Sequence, residues 1–314
     1  MKKTLIALAA VASLATSGAA FAQATISGGF GFASIKNMAG TSQGLLNTGA
    51  WLDVSTSEDL GGGMKIAGFM ELNMDSSRAA AGSAYSGDRS LTLSTPSATF
   101  ILTNTRSGGN QHASLLAPVN VWDDVWNGAV ITRANVDAGV IVVPLSSSVS
   151  FVGKYVESGP DYAASAGTTT MVAGATYKGN GLSVAGYVNQ SAFTPATAAT
   201  LAGLGVTTPR TVSTDLSVVY DAGVAKVGFG YDSARRGKQD GTDDAAITGS
   251  VTVPFGAAEA GVNFGKRGNA SFSQVGMQYN LSKRSNINLS FGNYDSGAAN
   301  GQTNEYSLSL NHYF

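Results

Sequence analysis

The last twelve residues of the sequence, 303–314, alternate strictly between two kinds of side chain. The largely apolar parity holds Tyr306, Leu308, Leu310, His312 and Phe314, and the polar parity holds Glu305, Ser307, Ser309 and Asn311. A period of two predicts a β-strand with one apolar face and one polar face. A two-faced strand ending on the aromatic Phe314 suits a transmembrane β-barrel, where one face meets lipid and the other a water-filled lumen.

A barrel in lipid needs a first strand that pairs with this last one. An open sheet edge would leave backbone groups without hydrogen-bond partners in the hydrocarbon. Residues 25–35 also alternate, with Ile26, Gly28, Phe30 and Phe32 on one parity. We therefore predict that residues 25–35 form the first strand and close the barrel against residues 303–314.

The N-terminal residues have the pattern of a secretory signal peptide. Lys2 and Lys3 precede a short apolar stretch at residues 4–14, and Ala20-Phe21-Ala22 provides small residues at a cleavage site. We expect residues 1–22 to be removed, so that residues 23–314 form a single barrel domain. No other apolar run approaches the roughly 20 residues of a membrane helix.

Composition excludes several other classes of protein. The sequence has no cysteine, which rules out disulfides and thiolate metal sites. The expected signal peptide holds two lysines, so the rest keeps 17 basic and 20 acidic residues, a net charge of about −3. A nucleic-acid partner would require a basic stripe. Only 12% of residues are charged and 40 are glycine, which fits a chain of many short strands. A soluble exported β-sandwich or β-helix is the alternative for such a composition. We expect no cofactor and no metal site.

The alternating segments add up to an all-β protein with sixteen antiparallel strands. After strands near 25–35, 50–55 and 64–74 come segments 90–94, 99–105, 129–138, 148–156, 169–178, 182–189, 213–220, 225–232, 246–253, 258–267, 271–279, 286–294 and 303–314. Bacterial single-chain barrels have even strand numbers, with tight turns at one end and longer loops at the other. We expect tight turns at 177–181 and 220–223, and long loops at 190–210 and 234–244.

Parity also separates the lumen side of each strand from the lipid side. Lys226 alternates with Val227 and Phe229, and Lys154 alternates with Phe151 and Tyr155. A charge on the lipid side near the midplane costs about 2–4 kcal/mol, so these charges should point inward. An aromatic girdle is expected from the tyrosines near segment ends, which are Tyr155, Tyr177, Tyr220, Tyr231, Tyr279 and Tyr294.

Three segments give the sequence a family resemblance. Residues 57–65 (SEDLGGGMK) with Glu71, residues 279–285 (YNLSKRS) and the ending 310–314 (LNHYF) resemble the Gram-negative general porins of the β-proteobacterial and neisserial type. This resemblance implies a homotrimer of 16-stranded outer-membrane barrels, each narrowed by an inward-folded third loop. It also implies passive diffusion of small hydrophilic solutes and ions, with outer-membrane lipid as the surroundings.

The resemblance implies that charged residues line a pore constriction. The candidates are Lys65, Arg106, Arg133, Lys154 and Lys226 for a positive wall, and Asp123 and Asp124 on the third loop for the opposite wall. Rings of charge at a constriction sort solutes by sign. Each residue could instead be a solvated charge away from the narrowest point. Asn104 stands where the family pattern leads us to expect the constriction arginine.

Two other functions compete with a channel. A barrel enzyme would need a nucleophile beside a base, but the only histidines are His112 and His312, and His312 lies on the lipid parity. We therefore expect no enzyme. A structural or adhesive barrel with a narrow or closed pore stays open, because the third loop holds few ionisable residues.

Overall fold

The computed structural model describes residues 23–36, 42–73, 85–105, 136–157, 168–193, 206–208, 212–233, 238–239, 245–295 and 301–314. Eighteen strands lie within these ranges. They are β1 Gln23–Lys36, β2 Ser42–Gly61, β3 Met64–Asn73, β4 Tyr85–Ser94, β5 Thr99–Thr105, β6 Val136–Pro144, β7 Val149–Glu157, β8 Thr168–Gly179, β9 Leu182–Phe193, β10 Val206–Thr208, β11 Val212–Asp221, β12 Lys226–Asp232, β13 Lys238–Gln239, β14 Ala246–Phe255, β15 Ala258–Arg267, β16 Ala270–Ser282, β17 Ser285–Asp295 and β18 Gln302–Tyr313.

Sixteen of these strands close into one antiparallel barrel. The remaining two, β10 and β13, pair with each other in a separate small sheet. Strand β1 pairs with β18 from Gly29 opposite Tyr313 to Lys36 opposite Tyr306. The Phe314 amide donates to the Gly28 carbonyl at 3.0 Å, and the Gly28 amide donates to the Phe314 carbonyl at 3.2 Å. The predicted fold class, strand number and closure of the two ends are confirmed; the expected third loop lies outside the described residues.

One predicted strand was placed too early in the sequence. The pattern predicted a strand at 129–138, whereas β6 runs from Val136 to Pro144. Residues 140–143 are Val-Ile-Val-Val, which are apolar on both faces and therefore show no alternation. Residues 129–135 lie outside the described ranges.

The two ends of the barrel differ in their connections. One end carries the short links 62–63, 95–98, 145–148, 180–181, 222–225, 256–257 and 283–284, together with Gln23 and Phe314. We call it the turn end and the other the loop end. In four of these turns the backbone enters the left-handed region, for example at Asn180 (φ 52°) with Gly181 (φ 75°) and at Gly223 (φ 80°). Among the described residues, the loop end includes the tight turn 268–269 between β15 and β16.

The two faces of the strands are reversed relative to a water-soluble protein. On β17 the outward Leu289 and Phe291 are 49% and 53% exposed, whereas the inward Asn288 and Ser290 are buried. Large apolar side chains point outward in the same way from β1 to β18, and inward positions are mostly polar or glycine. Exposed apolar residues are stable when lipid surrounds them, so the outer face is a lipid face.

One tyrosine of the expected girdle points the other way. Tyr220 and Tyr279 are half exposed near the turn end, as a girdle requires. Tyr294 shares the inward parity of Ser290 and Gly292 and is buried. Its place in the girdle was therefore predicted wrongly, because nearness to a strand end does not specify the face.

Candidate functional site

Lys154 is an inward cation held beside an aromatic ring. It lies on β7 on the parity of the buried Val152, while Phe151 and Tyr155 are exposed on the outer face. Its Nζ lies 4.9 Å from the ring centroid of Tyr187 on β9. A cation at that distance from a ring face is attracted by the ring quadrupole. The contact fixes the direction in which the long lysine side chain enters the lumen.

The position of Tyr187 depends on a glycine in the neighbouring strand. Gly174 of β8 is the register partner of Tyr187. A Cβ at Gly174 would collide with the Tyr187 ring and with the Gly186 carbonyl oxygen. The missing side chain therefore leaves the space in which the ring lies beside Lys154.

Two inward carboxylates lie next to each other on the neighbouring strands β11 and β12. Asp215 on β11 and Asp232 on β12 are direct register partners. The Asn189 side chain donates from Nδ2 to Asp215 Oδ2 at 2.9 Å. The Arg267 guanidinium donates to Asp232 Oδ2 at 2.7 Å, and both of these side chains are nearly buried. Neighbouring carboxylates repel each other, so the amide and the guanidinium stabilise the pair.

A second carboxylate pair lies on β2 and β3. Asp53 and Glu71 are register partners. The Glu71 carboxylate lies over Gly87 of β4, where an added Cβ would collide with it. Glu305 of β18 leans over Gly292 of β17 in the same way, with its Cγ 3.1 Å from the site of a Cβ. In both places a glycine makes room for an acid against the inner wall.

The structure separates the charges that the sequence singled out. Lys154 points inward in the described wall. Lys65 and Lys226 have inward parity but lie next to short connections at the turn end, and Lys226 pairs with Asp221 at 3.7 Å. Their place at the rim does not bring them to Lys154. Four further candidates lie outside the described residues, namely Arg106, Asp123, Asp124 and Arg133.

Asn104 is not a lumen residue, so the expectation of a constriction position there was wrong. It shares a face with Phe100 and Leu102, both exposed on the outside of β5. Its side-chain amide donates to Asp137 Oδ1 at 2.6 Å, near the loop end. Alignment to a family pattern alone did not take account of strand parity.

Sequence reasoning did not select five inward acids as candidate site residues. They are Asp53, Glu71, Asp215, Asp232 and Glu305. The signal was available, because each lies on the polar parity of a strand whose other parity is apolar. The search concentrated on cations and on the third loop, where the family resemblance pointed.

Comparison with known proteins identifies the family. The family model described as Gram-negative porin matches residues 7–313. The chain belongs to this family of Gram-negative porins. Comparison with curated proteins gives no match.

Solved structures share the fold of this porin at low sequence identity. An anion-selective porin from Comamonas acidovorans is 17% identical, with 93% of this chain and 100% of that chain covered and a TM-score of 0.67. A variant of the porin from Rhodopseudomonas blastica is 12% identical, with the same coverages and a TM-score of 0.65. At these identities the likeness concerns the fold.

The protein is thus an outer-membrane porin, a channel for small hydrophilic solutes rather than a member of an enzyme family. Within the described ranges, no helical segment has the length and apolar character needed to cross a membrane. The same ranges contain no group of three or more His, Cys, Asp or Glu placed to hold a metal.

Proposed function

We propose that this porin sorts ions by the charges on its inner wall. The observation that supports this is the inward placement of Lys154, Asp53, Glu71 and Asp215 on strands whose outer faces are apolar. A low-dielectric wall focuses the field of such charges into the lumen. Inward carboxylates outnumber inward cations among the described residues, so this part of the wall should favour cations.

The remaining candidates complete the proposed filter. Arg106 and Arg133 would supply the positive side of a constriction, opposite Asp123 and Asp124 on the third loop. Lys65 and Lys226 would act at the mouth on the turn end, where both are near connections. Charges at the mouth of a channel change the concentration of ions at its entrance. They change the selectivity of a narrow filter further inside much less.

Reversal potential in planar bilayers tests this proposal. Under a salt gradient, the double variant Arg106→Glu with Arg133→Glu should shift the potential toward cation preference. An unchanged potential would remove both arginines from the filter. A folded protein without conductance would contradict the channel itself and support a structural or adhesive barrel.

We further propose a homotrimer and a cleaved signal peptide. The apolar outer face offers surface for contact between copies, and residues 1–22 have the sequence pattern of a secretory signal peptide. Sedimentation in detergent should give three times the mass of one chain, and N-terminal sequencing of protein from outer membranes should begin at Gln23. A monomeric mass, or a start at Met1, would contradict the respective proposal.

A further inference from the structure

The inner face of the four neighbouring strands β5–β8 carries a cluster of aliphatic side chains. On β6 the inward positions between Asp137 and Pro144 are all apolar, whereas inward positions of the barrel are mostly polar or glycine. Six inward residues on these strands share the aliphatic character, namely Ile101, Ala138, Val140, Val142, Val156 and Val172. We call this set the aliphatic patch.

The aliphatic patch is accessible from the lumen. Each of its six members is partly exposed. Because all six have inward parity, the exposed part of each side chain faces the interior of the barrel. Inward side chains of β14–β18 differ, since Thr252 and Ser307, for example, are almost completely buried. A solute inside the barrel can therefore touch the aliphatic patch directly.

Strand register places Lys154 within the aliphatic patch. Lys154 is the partner of Val140 on one side and of Val172 on the other. Ile101 is the next residue of the same row, as the partner of Val140. The Lys154 Nζ extends as far as the Tyr187 ring on β9, 4.9 Å from the ring centroid. The inner wall thus combines one cation with aliphatic surface on both neighbouring strands.

Other charges near this row lie on other strands or at the turn end. Among the described residues of β5–β8, the second inward charge is Lys178, which lies next to the tight turn 180–181. Asp215 is the register partner of Tyr187 on β11, three strands away from β7, and accepts a hydrogen bond from Asn189. The side chains in register with Lys154 on β6 and β8 are therefore aliphatic rather than acidic.

We propose that Lys154 and the aliphatic patch together bind a monocarboxylate solute with an apolar body during its passage through the channel. The carboxylate would accept a hydrogen bond from the Lys154 ammonium group, whose three N–H donors allow this in addition to its other contacts. The apolar body would lie on Val140 and Val172 and leave water there. Small inorganic anions have no apolar body, so such a site is compatible with a wall that otherwise favours cations.

This inference rests on the proposed channel, and the experiment separates the two. Single-channel current in potassium chloride is recorded while hexanoate is added, with gluconate as the control anion. Both are monocarboxylates with the same number of carbon atoms, but gluconate carries hydroxyl groups along its chain. Hexanoate should lower the current reversibly and with saturation. Its half-blocking concentration should be about tenfold lower than that of gluconate, because about two methylene groups leave water on the patch.

A pair of matched variants locates the apolar contact. Val140→Thr replaces one methyl group of the aliphatic patch with a hydroxyl group and should raise the half-blocking concentration of hexanoate roughly two- to fourfold. Val219→Thr makes the same change at a partly exposed inward valine of β11, outside the patch, and should leave that concentration unchanged. Block by gluconate should be the same in both variants.

Lys154→Gln tests the ionic contact. This variant keeps a long side chain but removes the charge, so it should weaken block by hexanoate and by gluconate by the same factor. If block by hexanoate is unchanged, Lys154 does not hold the carboxylate and the proposed site is wrong.

The remaining outcomes separate the site from the channel. A channel that conducts salt but is blocked equally by hexanoate and gluconate, or that responds equally to the two valine substitutions, overturns the aliphatic patch as a binding site. A folded protein that passes no current overturns the channel and this inference together. Circular dichroism of all variants checks that they retain the β-barrel.

Discussion

At the scale of single residues, three long or charged side chains on the inner wall lie over glycines of a neighbouring strand. Tyr187 lies over Gly174, Glu71 over Gly87, and Glu305 over Gly292. A strand position without a side chain gives the neighbouring residue space to lie against the wall. The glycine content of the sequence therefore shapes the lumen as well as the turns.

Reversing the charge of Lys154 should raise the preference for cations. A unit charge about 7 Å from an ion changes its energy by about 0.6 kcal/mol in water, so Lys154→Glu should raise the permeability ratio of potassium over chloride roughly two- to tenfold. The measurement is the reversal potential under a salt gradient.

Lys266→Glu provides the matched control. Lys266 is exposed on the outward parity of β15 near the loop end, so the same change of net charge occurs outside the lumen. Its effect on the reversal potential should be small. If the two variants behave alike, the inward direction of Lys154 has no role in selectivity.

At the scale of elements, the packing between β8 and β9 limits what Gly174 can become. Gly174→Ala should destabilise the folded barrel by about 1–3 kcal/mol, because its Cβ would overlap the Tyr187 ring and the Gly186 carbonyl. Unfolding by urea in detergent micelles measures the difference.

Gly186→Ala is the comparison for this prediction. It lies on the adjacent strand, and its Cβ would come no closer than 4.0 Å, to the Asp215 carbonyl oxygen. Alanine should therefore be tolerated there. Equal losses of stability in the two variants would contradict the packing between Gly174 and Tyr187.

The lipid-facing row of β17 gives a second prediction at this scale. Leu289→Arg places a charge on the outer face, half-way along the strand, and should cost about 2–4 kcal/mol in folding into lipid bilayers. Asn269→Arg in the exposed turn 268–269 adds the same charge outside the strands and should change stability little. Folding titrations with urea in vesicles distinguish them; a tolerated arginine at Leu289 would argue that water reaches this face.

At the scale of the whole molecule, stability depends on closure between β1 and β18. Deletion of residues 302–314 would expose the edges of β1 and β17, whose backbone groups would have no partners in lipid. We expect this variant to fail to fold in vesicles, as measured by circular dichroism and by protection from protease. Deletion of residues 1–22 should leave folding intact, because the pairing of β1 with β18 uses residues from Gly28 onward. Efficient folding without β18 would contradict closure as a requirement.

The sequence alone determined the architecture of this porin, because a period of two assigns each side chain to one of two faces and lipid requires all strand edges to be paired. Alternation predicted the number of barrel strands, the positions of all but Val136–Pro144, the closure and the inward direction of Lys154 and Lys226. Only the tertiary structure decided which inward groups meet, since register between strands distant in sequence follows from the pairing of the whole sheet. Tyr187 beside Lys154 and Asp215 beside Asp232 both depend on that register, which alternation within one strand does not encode.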